Sequence, residues 1–241
     1  MKFLLLITLF FITTTSLSFG QYQELYPGNT GVYNGVNTNG MTLLSQTPEK
    51  DENSADIRGN AFWDADWKPA ILYTDNFKIL VPKVKLNLYK DRVYYTTPDS
   101  VVMIADDGQI KGITFFKTPD TTNVIGNFVY LKTEDDKDYH YYEVMNSGKA
   151  QLVKKYQVTL FKPPFDPISG TTDWNYVTKV IYYIYFNGKL SLLKGNNKEA
   201  VFSILHPGAS SVDWLDKNRN KLKSAPDILD FLKYYNSAEN K

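Results

Sequence analysis

The sequence predicts a mainly β fold, an antiparallel sheet assembly of successive hairpins curled into a twisted half-open barrel or a sandwich. Two to three short helices are expected to dock on it at the C-terminal end. Residues 83–89 alternate strictly, with Val84, Leu86 and Leu88 on one side and Lys83, Lys85, Asn87 and Tyr89 on the other. That period of two belongs to a half-buried strand. Apolar runs of similar length recur, separated by turn pairs such as Asp75-Asn76, Lys90-Asp91, Pro98-Asp99 and Asp107-Gly108. Composition agrees: 18 tyrosines within a 15% aromatic content favour strands, where a ring is half buried and its hydroxyl satisfied.

Residues 1–20 read as a secretory signal. Lys2 precedes an apolar stretch, 3–12, broken only by Thr8, and Ser18 and Gly20 stand three and one positions before Gln21. The apolar run is about half the ~20 residues that a bilayer span requires, so secretion rather than anchoring is expected. Residues 21–61 form an irregular lead-in rich in Gly, Asn, Thr and Ser, with turn signals at Asn34-Gly35 and Asn39-Gly40. Val32-Tyr33 and residues 41–44 are candidates for an edge strand.

Residues 62–195 carry the β domain. Strands are expected at 70–73, 77–81, 83–89, 93–96, 100–105, 109–116, 124–132, 138–145, 149–161, 176–186 and 189–194. Pro82, lacking an N–H, marks a break or an edge position between two of these pieces. One echo links the later strands: Tyr141-Tyr142, Asn146-Ser147-Gly148-Lys149 and Leu152-Val153-Lys154 match Tyr182-Tyr183, Asn187-Gly188-Lys189 and Leu192-Leu193-Lys194. Asn-Gly suits a two-residue turn and Asn-Ser-Gly a three-residue one, so two hairpins of one design are expected side by side in one sheet. The connector, 162–175, holds Pro163, Pro164 and Pro167 and reads as a loop.

Residues 196–241 turn helical, at 197–205, 211–218 and 225–235. Ser224 and Asp227 have the spacing of a capping box, with Pro226 tolerated in the first turn. Ile228, Leu229, Leu232 and Tyr235 then share one face, as do Val201, Ile204 and Leu205 earlier. Helices this short are marginal alone and must dock on the sheet.

Trp67-Lys68-Pro69-Ala70, the strand pair at 83–95, the tyrosine hairpins ending in Gly-Lys and the closing segment LKSAPDILDFLKYYNS (222–237) resemble small secreted proteins common in Bacteroidota. The resemblance runs from Ala61 to the C-terminus and implies a β-rich fold with C-terminal helices. That group has no assigned reaction, so the resemblance carries over no functional residue.

Lys and Arg total 27 against 26 Asp and Glu, and without the leader's Lys2 the balance is zero. Nucleic acid and anionic membrane surfaces call for a basic excess, so neither is expected as a partner. The chain has no cysteine. That excludes disulfides, a thiolate nucleophile, Cys-based zinc sites and a lipid anchor on cysteine. No cofactor is expected.

Chemistry is sparsely signalled. His140 lies in a tyrosine-rich strand and His206 at a helix end, where the dipole favours an imidazolium, and both read as structural. Ser191-Leu192-Leu193-Lys194 fits S-x-x-K but sits in a strand without the accompanying motifs. The acidic stretch at 51–56 has Ala55 where a calcium loop needs a ligand. Residues 134–138 read as a solvated hairpin tip that can also be drawn as an ion site. The main candidate is Trp63, Asp64, Asp66 and Trp67, joined by Trp174 in the Pro-rich loop. Tryptophans beside aspartates can stack on sugar rings while the carboxylates accept hydroxyl hydrogen bonds. The alternative is that both rings plug the core and an aspartate caps a turn.

These readings point to a secreted, non-enzymatic binding or scaffolding protein of the cell envelope, whose partner is another envelope protein or a glycan. The periplasm is favoured over the exterior. The alternative is a glycan-binding or glycan-active protein using the Trp63 to Trp67 segment. A hydrolase without a linear motif stands third.

Overall fold

A computed structural model describes residues 46–48, 57–162, 164, 174–195 and 197–238. Its strands are β1 (Gln46–Pro48), β2 (Ile57–Arg58), β3 (Lys68–Tyr73), β4 (Lys78–Asn87), β5 (Arg92–Thr96) and β6 (Val102–Ala105). They continue with β7 (Gly112–Phe116), β8 (Val124–Leu131), β9 (His140–Val144), β10 (Ala150–Phe161), β11 (Trp174–Phe186) and β12 (Lys189–Leu192). Three helices follow, α1 (Lys198–Leu205), α2 (Ala209–Asn218) and α3 (Ala225–Ala238). One open sheet holds every strand, in the order β1-β6-β5-β4-β3-β7-β8-β9-β10-β11-β12. All neighbours on that path are antiparallel, and β2 adds a short parallel pairing to β11, so the sheet is mixed. The mainly β expectation with C-terminal helices matches this architecture. Val32-Tyr33, residues 41–44 and the acidic stretch 51–56 lie outside the described residues; the edge strand falls at Gln46–Pro48.

Pro82 does not break the chain into two strands. β4 runs through it, and the register against β3 slips there, from Ala70 opposite Val81 to Lys68 opposite Val84. A bulge accommodates a residue with no N–H, and Pro82 is exposed within it. The matched hairpins form as expected: Asn187 and Gly188 both have positive φ (51° and 77°), Gly148 has φ 111°, and β10 pairs with β11 from Ala150–Phe186 to Phe161–Asn175. Trp174, expected in the loop, instead opens β11. Of the connector, Lys162, Pro164, Trp174 and Asn175 are described, the last two within β11.

Alternation assigns the faces. Ala70, Leu72, Val81, Val84, Leu86, Tyr95, Ile113, Phe115 and Phe128 point to one side and form the first core, in which Tyr95 and Ala70 are fully buried. Val158 of β10 belongs to the same core, with Tyr156 and Tyr176 packed on it. The far end of the β10–β11 ribbon therefore curls over the sheet's first half, and Tyr176 meets Tyr89 at 5.4 Å between ring centroids. The near end of the ribbon turns the same face, Ala150, Leu152 and Ile184, to the helices. Between the two cores Glu143 accepts from Tyr156 (2.5 Å) and pairs with Lys154 (3.0 Å). Burial opposes the Lys154 charge, and hydrogen bonds to Tyr156 and Glu143 outweigh it, leaving that ammonium's pKa raised.

The first core's phenols give the fold an alkaline limit. Burial, then the charge of Asp106, pushes Tyr95 up to about 12, and burial holds Tyr141 well above the ordinary phenol value. The folded state thus keeps protons that an unfolded chain releases near pH ~10. This stabilisation is complete below that value and is lost as pH rises toward the folded values. The melting temperature should hold to about pH 9 and fall steeply through pH 10–12. A flat profile there, with phenolate absorbance rising early, would contradict the burial of these hydroxyls.

The helices dock as expected, with local changes. Asn197 caps α1 by accepting from Ala200 N (2.8 Å). Ser224 caps α3 by accepting from Asp227 N (3.3 Å), while Asp227 reaches Lys223 N (3.1 Å) instead of its boxed partner. Leu229, expected on the buried face, is half-buried, and Phe231 is fully buried in its stead. Asn236 is the tie that motif reading missed. Its Oδ1 accepts from Ala150 N (2.8 Å), and its Nδ2 donates to Ala150 O (2.9 Å) and Ser147 O (3.1 Å). A side-chain amide thus closes the β9–β10 turn as a paired strand would, and Gly148 leaves it room, since a Cβ there would lie 2.5 Å from Nδ2. Asn236→Ala should cost about 1–3 kcal/mol, because it leaves the buried Ala150 N–H without its acceptor, while Asn146 Nδ2 still donates to both carbonyls. An unchanged denaturant midpoint would show that the tie contributes nothing.

Candidate functional site

A cleft of about 510 Å³ opens where three turns meet: β4–β5, β6–β7 and β8–β9. Each turn brings charged residues for local reasons. Asn87 organises the first by accepting from Tyr89 N (3.0 Å) and Lys90 N (2.9 Å). Asp91 follows with φ 49°, a left-handed conformation that Asp tolerates better than most residues. Its carboxylate spans to the third turn: Oδ1 accepts from Tyr141 N (3.2 Å) and Oδ2 meets His140 Nδ1 at 2.7 Å. When a neutral imidazole donates Nδ1–H to a carboxylate, its Nε2 is left as an acceptor. Both residues of this pair are about one quarter exposed.

The second turn supplies Asp107. Its Oδ1 accepts from the Tyr130 hydroxyl (2.7 Å) and pairs with Arg92 (3.3 Å). Burial, and next the hydrogen bond to Asp107, raise the Tyr130 phenol, so it stays a donor. Three tyrosines then pile up from the core outward. Tyr141 is buried and donates to Ile110 O (2.9 Å); Tyr130 lies 4.7 Å from it; Tyr139 stacks on Tyr130 at 5.3 Å and is nearly half exposed. Lys90, Arg92 and Lys137 face Asp91, Asp107 and Asp138 around the rim, so the formal charges cancel with His140 neutral. Among the described residues the lining includes no serine, threonine or cysteine. Among the described residues no three His, Asp or Glu side chains gather closely enough to hold a metal ion.

A second concavity of about 590 Å³ lies along α2 and α3, where Trp214 stacks on Tyr234 at 4.9 Å. Its polar residues serve the helix ends: Asn220 donates to Asp227 O, and Asp227 accepts from Lys223 N. The turn cleft, whose charged pairs join separate turns, is the better candidate.

The residues singled out from sequence are distributed differently. Trp63 lies against the first core, stacked on Phe115 at 4.9 Å and edge-on to Phe128 at 5.2 Å. Asp64 accepts from Asp66 N (2.8 Å), a local turn, and both carboxylates pair with Lys68 (3.5 and 3.4 Å). Trp67 is on the opposite face, where the Lys85 ammonium sits 5.1 Å from its ring and 5.2 Å from Phe62. Trp174 is 38% exposed beside Lys162, whose ammonium lies 5.4 Å from its ring. None of the five lines the cleft. Glu134, at the hairpin tip, pairs with Lys189 (2.8 Å). His206 is exposed and forms the left-handed cap of α1.

Compared with known proteins, the chain matches no family model, no curated protein and no solved structure. Among the described residues no helix is long and apolar enough to cross a membrane.

Proposed function

We propose that the protein is a secreted, non-enzymatic binding protein of the cell envelope, akin to the small Bacteroidota proteins it resembles, whose ligand seats in the turn cleft. The observation that carries this reading is the paired wall of the cleft. Asp91 with His140 and Asp107 with Arg92 join turns that are otherwise far apart in the chain. Groups tied to one another in advance hold a shape with little ordering left to lose, which favours recognition of a polar ligand. A rigid aromatic pile on the same wall adds contact area at small entropic cost.

Native envelope fractions passed over the tagged protein test this reading. Material retained by the wild type should be lost by the double variant Arg92→Ala, Tyr139→Ala. Equal retention by both would remove the cleft as the binding surface. Secretion, with the periplasm favoured, rests on residues 2–20. The exported protein should have the mass of residues 21–241, and a mass including Lys2 would sink this part.

A further inference from the structure

We infer that the ligand of the turn cleft is a neutral glycan, held by Tyr139 against one sugar face and by Arg92, Asp107 and His140 at its hydroxyls. The inference rests on the binding reading above and names its ligand class. Charge balance is the first argument. A seat for phosphate or a carboxylate needs a cationic surplus, and here every lining cation is matched by an aspartate. Donors and acceptors therefore alternate around the wall without net charge, as a polyol demands, since each hydroxyl both donates and accepts.

The tyrosine pile is the second argument. Tyr141 is anchored to Ile110 O, Tyr130 to Asp107, and Tyr139 rides on Tyr130 with planes 25° apart. The outermost ring is thus fixed from below while it is 46% exposed at the cleft. A flat ring held this way offers a face for the apolar side of a pyranose. The exposed Lys132 reaches over this ring, its ammonium 5.2 Å from the centroid. Its long flexible stem can swing aside for a ligand. Tyr89, 41% exposed and tilted against Tyr176, bounds the opposite turn.

The third argument is the orientation of polar groups. Asp107 spends Oδ1 on Tyr130 and Arg92, and its Oδ2 has no partner among the described residues. His140 spends Nδ1 on Asp91, so its Nε2 is an acceptor when the ring is neutral and a donor when it is charged, and a hydroxyl can answer either. A fixed guanidinium beside an open carboxylate oxygen can take two adjacent hydroxyls at once.

Calorimetric titration of the purified protein with cello-, xylo-, manno-, malto- and chito-oligosaccharides tests this, beside oligogalacturonate and inorganic phosphate. At least one neutral oligosaccharide should bind, with an affinity nearly independent of salt, because no ion pair with the ligand is there to be screened. Tyr139→Ala and Asp107→Asn, both at exposed side chains, should each weaken it about tenfold or more without moving the melting temperature. Binding of galacturonate or phosphate alone, weakening with salt, overturns the glycan class while leaving the cleft a ligand seat. Neutral-sugar binding untouched by both substitutions overturns the placement. If no probe binds, the glycan inference falls. The binding reading falls with it only if the Arg92, Tyr139 double variant also retains envelope material.

Discussion

Trp63→Ala is expected to destabilise the protein by about 3 kcal/mol, the low end for an aromatic ring, because the half-buried indole packs against the first core. The indole stacks on Phe115, meets Phe128 edge-on, and presses on Gly126, where a Cβ would stand 2.7 Å from its six-membered ring. Its backbone is pinned as well, Trp63 N donating to Leu86 O at 2.9 Å. Removing the ring strips Phe115 and Phe128 of packing that rigid strands cannot restore by collapsing. Trp67→Ala should cost much less, because that ring meets the Lys85 ammonium on the face opposite the first core, whereas Trp63 packs on core rings. Chemical unfolding of the two variants separates them. If Trp63→Ala unfolds like the wild type, the ring is free to serve as a sugar platform with Asp64 and Asp66.

Truncation before Ser224 is expected to abolish cooperative folding. α3 supplies Ile228, Phe231, Leu232 and Tyr235, all at most 3% exposed, to the second core. It also supplies the Asn236 tie to the β9–β10 turn. Without it Ala150, Leu152 and Ile184, each fully buried, would face water. Phe231→Ala alone should cost about 3–5 kcal/mol, since the ring contacts Phe202, Trp214 and Tyr235. A truncated protein melting at the parent temperature would make the helix a dispensable appendage.

Strand existence was legible because alternation and turn pairs are local, and the paired hairpins because their turns need left-handed residues. Pro82 misled for a definite reason: a missing N–H fits both a strand end and a bulge, and only the partner strand's register distinguishes them. Trp63 and Trp67 are four apart, which in a straight strand sets them on one face. The Asp64 turn rotates the chain between them and sends the rings to opposite sides. The cleft had no linear signal at all. Asp91 and His140 are 49 residues apart, and Tyr130 and Asp107 are 23 apart. Each acidic residue stands in a turn, where solubility accounts for it equally well. Their meeting depends on β7 returning to β3 instead of β6, a choice made by packing. Tyr130 and Tyr139 offered one usable hint, since tyrosines flanking an acidic turn tend to be half exposed.

That return to β3 also sets an order of events. Strands β3 to β6 form a meander of neighbours in sequence, and β7 to β12 form a second one, growing outward from the same central pair. Most closures are short, which favours quick assembly of each meander. The second meander has one face that α1 and α2 cover only in part until α3 arrives, fourteen residues from Ala225 to Ala238. A chain emerging from N- to C-terminus therefore carries an adhesive ribbon, Ala150 to Ile184, from the moment β11 is made until the last helix follows. Its final helix is then both latch and timer: productive collapse waits for it, and any factor that keeps the chain extended until then guards it against aggregation.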